Sequence, residues 1–309
     1  MKKKAIIIGV SVVVVVAVIV IVLSSGVLGR PAVDKIAVIS LSGTITMQDS
    51  SLLSGSTITP DLVKSYLTRA EQDKAVKAIV IRIESPGGEI APCQEILWEI
   101  ERVKETKHIL VSMGGTTASG GYYISTKADK IVALPTTMTG SIGVISQIMN
   151  VEGLLEKLDI QVVTFKGGKY KDMYSVYREM TPEEKEIMQG MVDEYYELFI
   201  DVVAEGRGLS EDEVRDLATG QIYTGTEAKE LGLVDLLGDL DTAIDLAMEL
   251  VGIEVARVEY YQPPRVTLWS LLGFADAIRL RLSGLSAQDI ILLEILRHNY
   301  RQPLFLFKS

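Results

Sequence analysis

The chain has 309 residues, 48% of them hydrophobic, and a formal net charge of −10 at pH 7. That length is enough for one large domain or two modest domains with a sizeable core. The acidic balance argues against a nucleic-acid partner, because phosphate groups need a basic surface. The single cysteine, Cys93, excludes a disulfide framework and a cysteine metal site, and we expect it to be a small buried residue.

The first 30 residues (1–30) are predicted to form an N-terminal membrane anchor. Three lysines, Lys2 to Lys4, precede residues 5–23, which contain no charge. A helix over 5–23 would be about 28 Å long, close to the hydrocarbon thickness of a bilayer. A cleaved signal peptide is the alternative, but its apolar region is normally only about 7–15 residues long. Because lysines stay in the cytoplasm, we expect a single-pass protein of the cell membrane with a cytoplasmic N-terminus and an extracytoplasmic body.

From residue 34 onwards, apolar strands are predicted to alternate with helices. The strands are expected at 35–43, 77–88, 108–115 and 129–134, and the helices at 59–73 and 90–106. Thr59 is expected to cap the first of these helices, with Pro60 at its first position. The alternation predicts right-handed crossovers and a mainly parallel sheet that is covered on both faces.

The second half of the chain is predicted to be more helical. Capping-box spacing, which marks the start of a helix, occurs at Thr181/Glu184 and at Ser210/Glu213. We predict one domain over 31–254 and a C-terminal helical extension over 255–309. The apolar spacing of the extension suits packing on the body, on another subunit or on the membrane surface, and packing within the assembly is preferred.

The positions of the two histidines argue against a zinc site and against a histidine base. The two histidines, His108 and His298, have no zinc-ligand spacing, and the glycine-rich turns lack the spacings that bind nucleotides, so we expect neither a metal nor a cofactor. His108 begins a strand that is predicted to run towards Ser119, which places it at the far end of that strand. The predicted geometry therefore argues against a Ser-His-Asp triad that joins Ser119 to His108.

Three glycine-containing turns each follow an apolar segment. They are SPGGE (85–89), TASGG (117–121) and TGSIG (139–143). Turns at the carboxyl ends of parallel strands converge on one edge of the sheet, where sites form. Ser119 in the second turn is either an ordinary helix cap or a nucleophile whose proton is taken by a base.

Without histidine, the candidate bases are carboxylates and lysines. A lysine accepts a proton only when neutral, so burial must lower its pKa from about 10.4. The segment 162–175 supplies three candidates, Lys166, Lys169 and Lys171. Tyr122 and Tyr123 are expected to be core or wall residues, since a phenol with a pKa near 10 is a poor base.

Several motifs together resemble one family over about residues 34–250. They are SPGGE, MGGTTASGGYYISTKADKIVALPTTMTGSIGV, KGGKYKD and the segment that begins YREMTPEE. The chain resembles the short form of the signal peptide peptidase A family, whose members are membrane-anchored serine peptidases with a Ser/Lys dyad. The resemblance implies an α/β fold, a crotonase/caseinolytic-protease-like spiral of βαβ units with a mainly parallel sheet.

The resemblance also implies a role for each matched site residue. Ser119 would be the nucleophile and Lys171 the general base, with Lys169 as the alternative base. The hydroxyl of Ser141 would orient the lysine amine. The backbone N–H groups of Gly88 and Gly120 would form the oxyanion hole.

The implied function is that of a membrane-anchored serine endopeptidase that forms a ring-shaped homo-oligomer. Its substrates would be apolar peptides such as remnant signal peptides, and it would need no metal or cofactor. One alternative is a non-catalytic, membrane-tethered scaffold of the same fold that binds peptides. An acyl-CoA enzyme of the crotonase type is a second alternative, disfavoured by the anchor and by the Ser119/Lys171 pair.

Overall fold

The computed structural model describes residues 33–48 and 56–261. The anchor predicted for residues 1–30 lies outside these ranges, as do His298 and most of the extension predicted for 255–309. None of the helices within the two described ranges combines the length and the apolar character needed to cross a bilayer.

Strands and helices alternate through the first half of the described chain. The strands are β1 (Lys35–Ser42), β2 (Thr44–Ile45), β3 (Thr57–Ile58), β4 (Val76–Ser85), β5 (His108–Ala118), β6 (Lys130–Ala133), β7 (Met138–Gly140), β8 (Ile222–Thr224), β9 (Leu236–Leu237) and β10 (Arg257–Tyr261). The helices are α1 (Pro60–Gln72), α2 (Ile90–Lys104), α3 (Gly120–Ser125), α4 (Glu152–Lys157), α5 (Pro182–Arg207), α6 (Glu211–Leu217), α7 (Gly225–Glu230) and α8 (Leu240–Leu250).

The main sheet is mostly parallel, as predicted. Its strand order is β10-β1-β4-β5-β6-β9, and all of these neighbours are parallel. Strand β7 pairs in parallel with the end of β5 and antiparallel with β8. Because β10 pairs with β1, the sheet continues past residue 254, where the predicted peptidase domain ends.

Both faces of the sheet are covered by helices. The long strands are apolar at almost every position, and each face therefore needs such a cover. One face packs against α1, α2 and α5 through residues such as Ile39, Ile81 and Val111. The other face packs against α8 through residues such as Val38, Val80 and Leu110. Side chains of a strand alternate between faces, so continuous apolar runs are what a two-sided core requires.

The predicted helix starts are confirmed. The Thr59 hydroxyl accepts a hydrogen bond from the Leu62 N–H, and Pro60 begins α1. Capping boxes are formed at the starts of α5 and α6 by Thr181/Glu184 and Ser210/Glu213. These caps satisfy N–H groups that have no partner within their own helix.

Candidate active site

The three glycine turns meet at one edge of the sheet, as the sequence predicts. Strand β5 ends at Ala118, which pairs with Gly140 of β7, and the next N–H, that of Ser119, donates to the Gly140 carbonyl at 2.8 Å. On the other side of β5, Thr117 pairs with Ser85 at the start of the SPGG turn. Continuing the β5–β7 register by one residue places Ser119 beside Ser141.

Ser119 occupies a strained turn between β5 and α3. Its φ of 51° and ψ of −120° lie outside the regions that a non-glycine residue normally adopts, a strain of about 1–3 kcal/mol. The turn is held because the Ser119 N–H donates to Gly140 and its carbonyl accepts from the Tyr123 N–H, each at 2.8 Å. A strained strand-to-helix turn is how several hydrolase folds present a nucleophile.

The helix-cap interpretation of Ser119 is not supported. Ser119 stands at the N-cap position of α3, but its hydroxyl makes no capping hydrogen bond. Within the described ranges, that hydroxyl has no hydrogen-bond partner, although the residue is only 4% exposed. A nearly buried, unpaired hydroxyl at the end of a strand is free to face a substrate.

Two backbone N–H groups beside Ser119 are also unpaired. The Ile45 N–H donates to the Gly87 carbonyl and the Glu89 N–H donates to the Ile45 carbonyl, both at 2.9 Å. In that parallel bridge the Gly88 N–H points away from Ile45. Gly120 is the first residue of α3, where an N–H has no partner within the helix. Neither N–H donates to an acceptor in the described part of the chain.

Glycine is required at positions 88 and 120 by the close approach of the two turns. A β carbon on Gly88 would lie 1.9 Å from the Ile45 carbonyl oxygen. A β carbon on Gly120 would lie 2.6 Å from Cys93 Sγ and 3.2 Å from the Gly88 nitrogen. The two unpaired N–H groups are therefore neighbours, and only glycines allow this contact.

A distortion in β5 turns its last residues towards β7. The register between β4 and β5 shifts between Ile83 and Ser85, which opens the ladder around the two glycines that follow Met113. The Glu84 carboxylate accepts hydrogen bonds from the N–H groups of Gly115 and Thr116, at 2.6 and 2.9 Å. These bonds satisfy N–H groups that the distortion removes from the ladder.

The remaining candidates near the turn are structural, as the sequence predicts. Cys93 is fully buried, and burial raises the pKa of its thiol. The Tyr122 hydroxyl donates to the Leu233 carbonyl at 3.0 Å, and the Tyr123 hydroxyl donates to Gln94. Desolvation raises the pKa of both phenols, so the phenolate form that a general base requires is scarcer still at neutral pH. His108 begins β5, at the opposite end from Ser119, and pairs with Asp129.

The three candidate lysines lie on a segment that contains no buried residue, here called the arm (residues 145–177). Two of them are paired: the Lys166 amine is 2.5 Å from Asp172, and Lys169 binds Glu183, which raises the Lys169 pKa. Lys171 is exposed and forms no ion pair with any described residue. The structure of one chain shows no hydrogen bond between the Lys171 amine and the Ser119 hydroxyl, so it does not bring the dyad together.

Comparison with known proteins identifies the family. The model described as Peptidase family S49 matches residues 101–254. A Synechocystis sp. protein that is named as a protease is 36% identical over 240 residues, which cover 77% of this chain and 87% of that protein. The chain belongs to peptidase family S49.

Two further relatives of this S49 peptidase carry more specific names. An Enterococcus faecium protein named as a signal peptide peptidase is 40% identical over 229 residues, covering 73% of this chain and 67% of that protein. A chloroplastic serine protease of Arabidopsis thaliana is 35% identical over 260 residues, covering 83% of this chain and 37% of that protein.

Sequence reasoning missed one group of residues in this S49 peptidase. Arg178 bridges Asp172 and Glu184, through Nη2 at 2.8 Å from Asp172 Oδ1 and 2.7 Å from Glu184 Oε1. These three residues are called the ion cluster below. The capping-box spacing identified Glu184, but no periodic signal links it to Asp172. The one available signal is that Arg178 lies midway between these two acidic residues in the sequence.

Proposed function

We propose that this S49 peptidase is a serine endopeptidase with Ser119 as nucleophile and Lys171 as general base. The observation that supports it most directly is the strained turn at Ser119, whose free hydroxyl lies beside two unpaired N–H groups. An acyl-transfer site needs this combination of a nucleophile and preorganised donors for the oxyanion.

In the proposed reaction, the Ser119 hydroxyl attacks a peptide carbonyl while the neutral Lys171 amine takes its proton. The N–H groups of Gly88 and Gly120 hold the oxyanion, each contributing about 3–4 kcal/mol to the tetrahedral intermediate. Lysine returns the proton to the leaving amine, and a water then hydrolyses the acyl-enzyme. The Ser141 hydroxyl, one residue beyond Gly140, orients the amine.

Lys171 is preferred as the base because, unlike Lys166 and Lys169, it has no carboxylate partner among the described residues. A carboxylate partner stabilises the ammonium form, and both Lys166 and Lys169 have one. Lys171 has none among the described residues, so burial against a partner or a substrate would leave its amine without a compensating charge. This favours the neutral form that a base requires.

The arm also supports the proposal of a homo-oligomer. Its large apolar side chains are exposed, including Met149, Leu154, Leu158, Val163, Phe165 and Tyr174, and Phe165 is 93% exposed. Monomeric proteins rarely expose apolar side chains so continuously, and such surfaces mark interfaces. We propose that neighbouring subunits of a ring-shaped assembly cover the arm and place Lys171 at a serine.

The finer parts of the proposal rest on the sequence and on the relatives' names. Residues 1–30 would anchor the protein in the cell membrane with its catalytic domain outside the cytoplasm. The name of the Enterococcus faecium relative supports remnant signal peptides and other apolar peptides as substrates. The crotonase/caseinolytic-protease-like spiral is the finer fold assignment that accompanies this proposal.

The test combines labelling with cleavage by the full-length protein. A fluorophosphonate probe should label the wild type and not Ser119→Ala. Cleavage of an apolar peptide should be lost in Ser119→Ala and Lys171→Ala, and retained in Lys157→Ala, which removes a different exposed lysine of the arm. Labelling and cleavage that both persist without Ser119 would reject the nucleophile. A wild type that binds peptide but is neither labelled nor active would favour the scaffold alternative.

Mixing the two inactive variants locates the dyad within the assembly. If Ser119→Ala and Lys171→Ala chains regain activity when they are assembled together, serine and lysine come from different subunits. If they do not, each dyad is completed within one chain.

A further inference from the structure

The arm has few apolar contacts to fix its position. Helix α4 contains no buried residue, and no residue of the arm is buried. Its two legs are joined by the Val151 N–H, which donates to the Val176 carbonyl at 2.8 Å. What holds the lysine-bearing leg must therefore be mostly polar.

The ion cluster is the strongest polar anchor next to Lys171. Arg178 donates to Asp172 through Nε and Nη2, at 3.1 and 2.8 Å. It also donates to Glu184 through Nη1 and Nη2, at 2.9 and 2.7 Å. Paired contacts of a planar guanidinium with carboxylates fix direction as well as distance.

The cluster connects the arm to the rigid part of the molecule. The Glu184 side chain is only 3% exposed and that of Asp172 is 14% exposed. Glu184 also accepts from the Thr181 N–H at 2.9 Å and so closes the capping box of α5. Helix α5 is buried in the core at Phe199 and Ile200. Arg178 thus ties Asp172, the residue after Lys171, to a helix that is part of the core.

Arg178 also compensates two negative charges, one of which belongs to Asp172, the residue after Lys171. Arg178 lowers the pKa of Asp172 and lowers that of Glu184 to about 2, so both carboxyls are ionised at neutral pH. The other charged groups at this place are also engaged: Lys166 with Asp172, Lys169 and Tyr170 with Glu183, and Glu152 with the Glu179 N–H. Without Arg178, Asp172 would keep only Lys166 as a counter-charge and Glu184 would keep none among the described residues, and this less compensated negative charge would favour the ammonium form of Lys171.

We propose that Arg178 is a positioning residue for Lys171. It fixes the leg of the arm that carries the lysine, and it holds Asp172 and Glu184 so that neither carboxylate keeps the amine protonated. This inference rests on the proposed function, in which Lys171 is the general base.

The test measures kcat/KM against pH for the full-length protein, from about pH 5 to pH 10. Arg178→Gln should lower kcat/KM at neutral pH at least about tenfold and move the midpoint of the acid limb up by about one pH unit, because freed carboxylates favour the ammonium. Adding Asp172→Asn should move the midpoint back towards the wild type. Arg178→Lys should lie between, since it keeps the charge but not the paired geometry.

A matched control comes from a second arginine. Arg215 makes a paired contact with the Glu197 carboxylate between α6 and α5, and no residue of the arm takes part in this pair. Arg215→Gln should leave the midpoint of the acid limb unchanged. Removing Arg178 leaves the buried Glu184 carboxylate without a counter-charge, so Arg178→Gln/Glu184→Gln is the second variant if the single variant fails to fold. It should still move the midpoint up, now through Asp172 alone, and Asp172→Asn should again reverse the move.

The outcomes separate this inference from the proposed function. An unchanged profile in the Arg178 variants, or a lower rate with an unchanged midpoint, would overturn the positioning role while Lys171→Ala remains inactive. Full activity of Lys171→Ala would instead remove the base from the proposed function, whatever the Arg178 variants do.

Discussion

Replacing Gly120 by alanine should place a methyl group in the contact between α3 and the SPGG turn. That β carbon would lie 2.6 Å from Cys93 Sγ, about 1 Å inside the usual separation of non-bonded heavy atoms. Cys93 is fully buried, so its sulfur cannot withdraw towards solvent. Overpacking of this kind costs about 1–3 kcal/mol, so we expect the Tm to fall by about 2–12 °C.

A second substitution separates the packing effect from the catalytic effect. In Cys93→Ala/Gly120→Ala the sulfur is gone, so the double variant should unfold close to Cys93→Ala alone. The β carbon still lies 3.2 Å from the Gly88 nitrogen, a tight contact with one of the proposed oxyanion donors. We therefore expect kcat/KM to stay about a hundredfold or more below that of Cys93→Ala.

Thermal unfolding of the wild type, the two single variants and the double variant forms a double-mutant cycle. Peptide cleavage is measured on the same four proteins. Two results would refute the reasoning. The first is additive loss of stability, which would mean that Cys93 is not the obstacle. The second is full recovery of kcat/KM in the double variant, which would mean that Gly120 serves packing alone.

Three other expectations follow from the hydrogen bonds of the structure. Thr181→Ala removes the N-cap of α5 and should lower the free energy of unfolding by about 1 kcal/mol, measured by denaturant titration; an unchanged midpoint would contradict the cap. Because its folded-state pKa is lowered from 4.5 to about 2, Glu184 should contribute stability above pH 4.5 that is lost as the pH falls towards 2, and Glu184→Gln should flatten this acid dependence. Tyr122→Phe removes the bond to the Leu233 carbonyl and should cost about 1 kcal/mol without changing kcat/KM, whereas lost activity would implicate the phenol in catalysis.

Local sequence patterns were sufficient for the long elements and for the turns that they carry. Strands β1, β4 and β5 are continuous apolar runs that can only be buried on both faces, and each ends at a glycine or serine turn. Parallel pairing of β4 with β5 then brings the SPGGE and TASGG turns to one edge, and the pairing of the short strand β7 with the end of β5 adds the TGSIG turn. For this reason the long strands alone could place Ser119 close to Gly88, whereas the position of Ser141 also depends on β7.

The parts that were not predicted depend on partners far away in the chain. Strands β7, β8 and β9 have two or three residues each and exist only because other strands pair with them. Strand β10 lies in the segment assigned to the C-terminal extension, and its partner β1 is at the other end of the described chain. The ion cluster joins Asp172 and Arg178, which lie in irregular structure, to the first turn of α5, so no helical or strand periodicity marks it.

The two halves of the proposed dyad are therefore fixed by different forces. Ser119 is held by the core: β5 and α3 are buried, its backbone strain is balanced by hydrogen bonds within one chain, and glycines set the distance to the N–H donors. Lys171 lies on the exposed arm, whose position in our proposal depends on Arg178 and on the neighbouring subunits that cover the apolar side chains of the arm. Since a serine without a base is inactive, such a division would keep an isolated chain inactive even though its nucleophile is fully formed. It would also make cleavage depend on the contacts of the arm and not on the folding of the catalytic core.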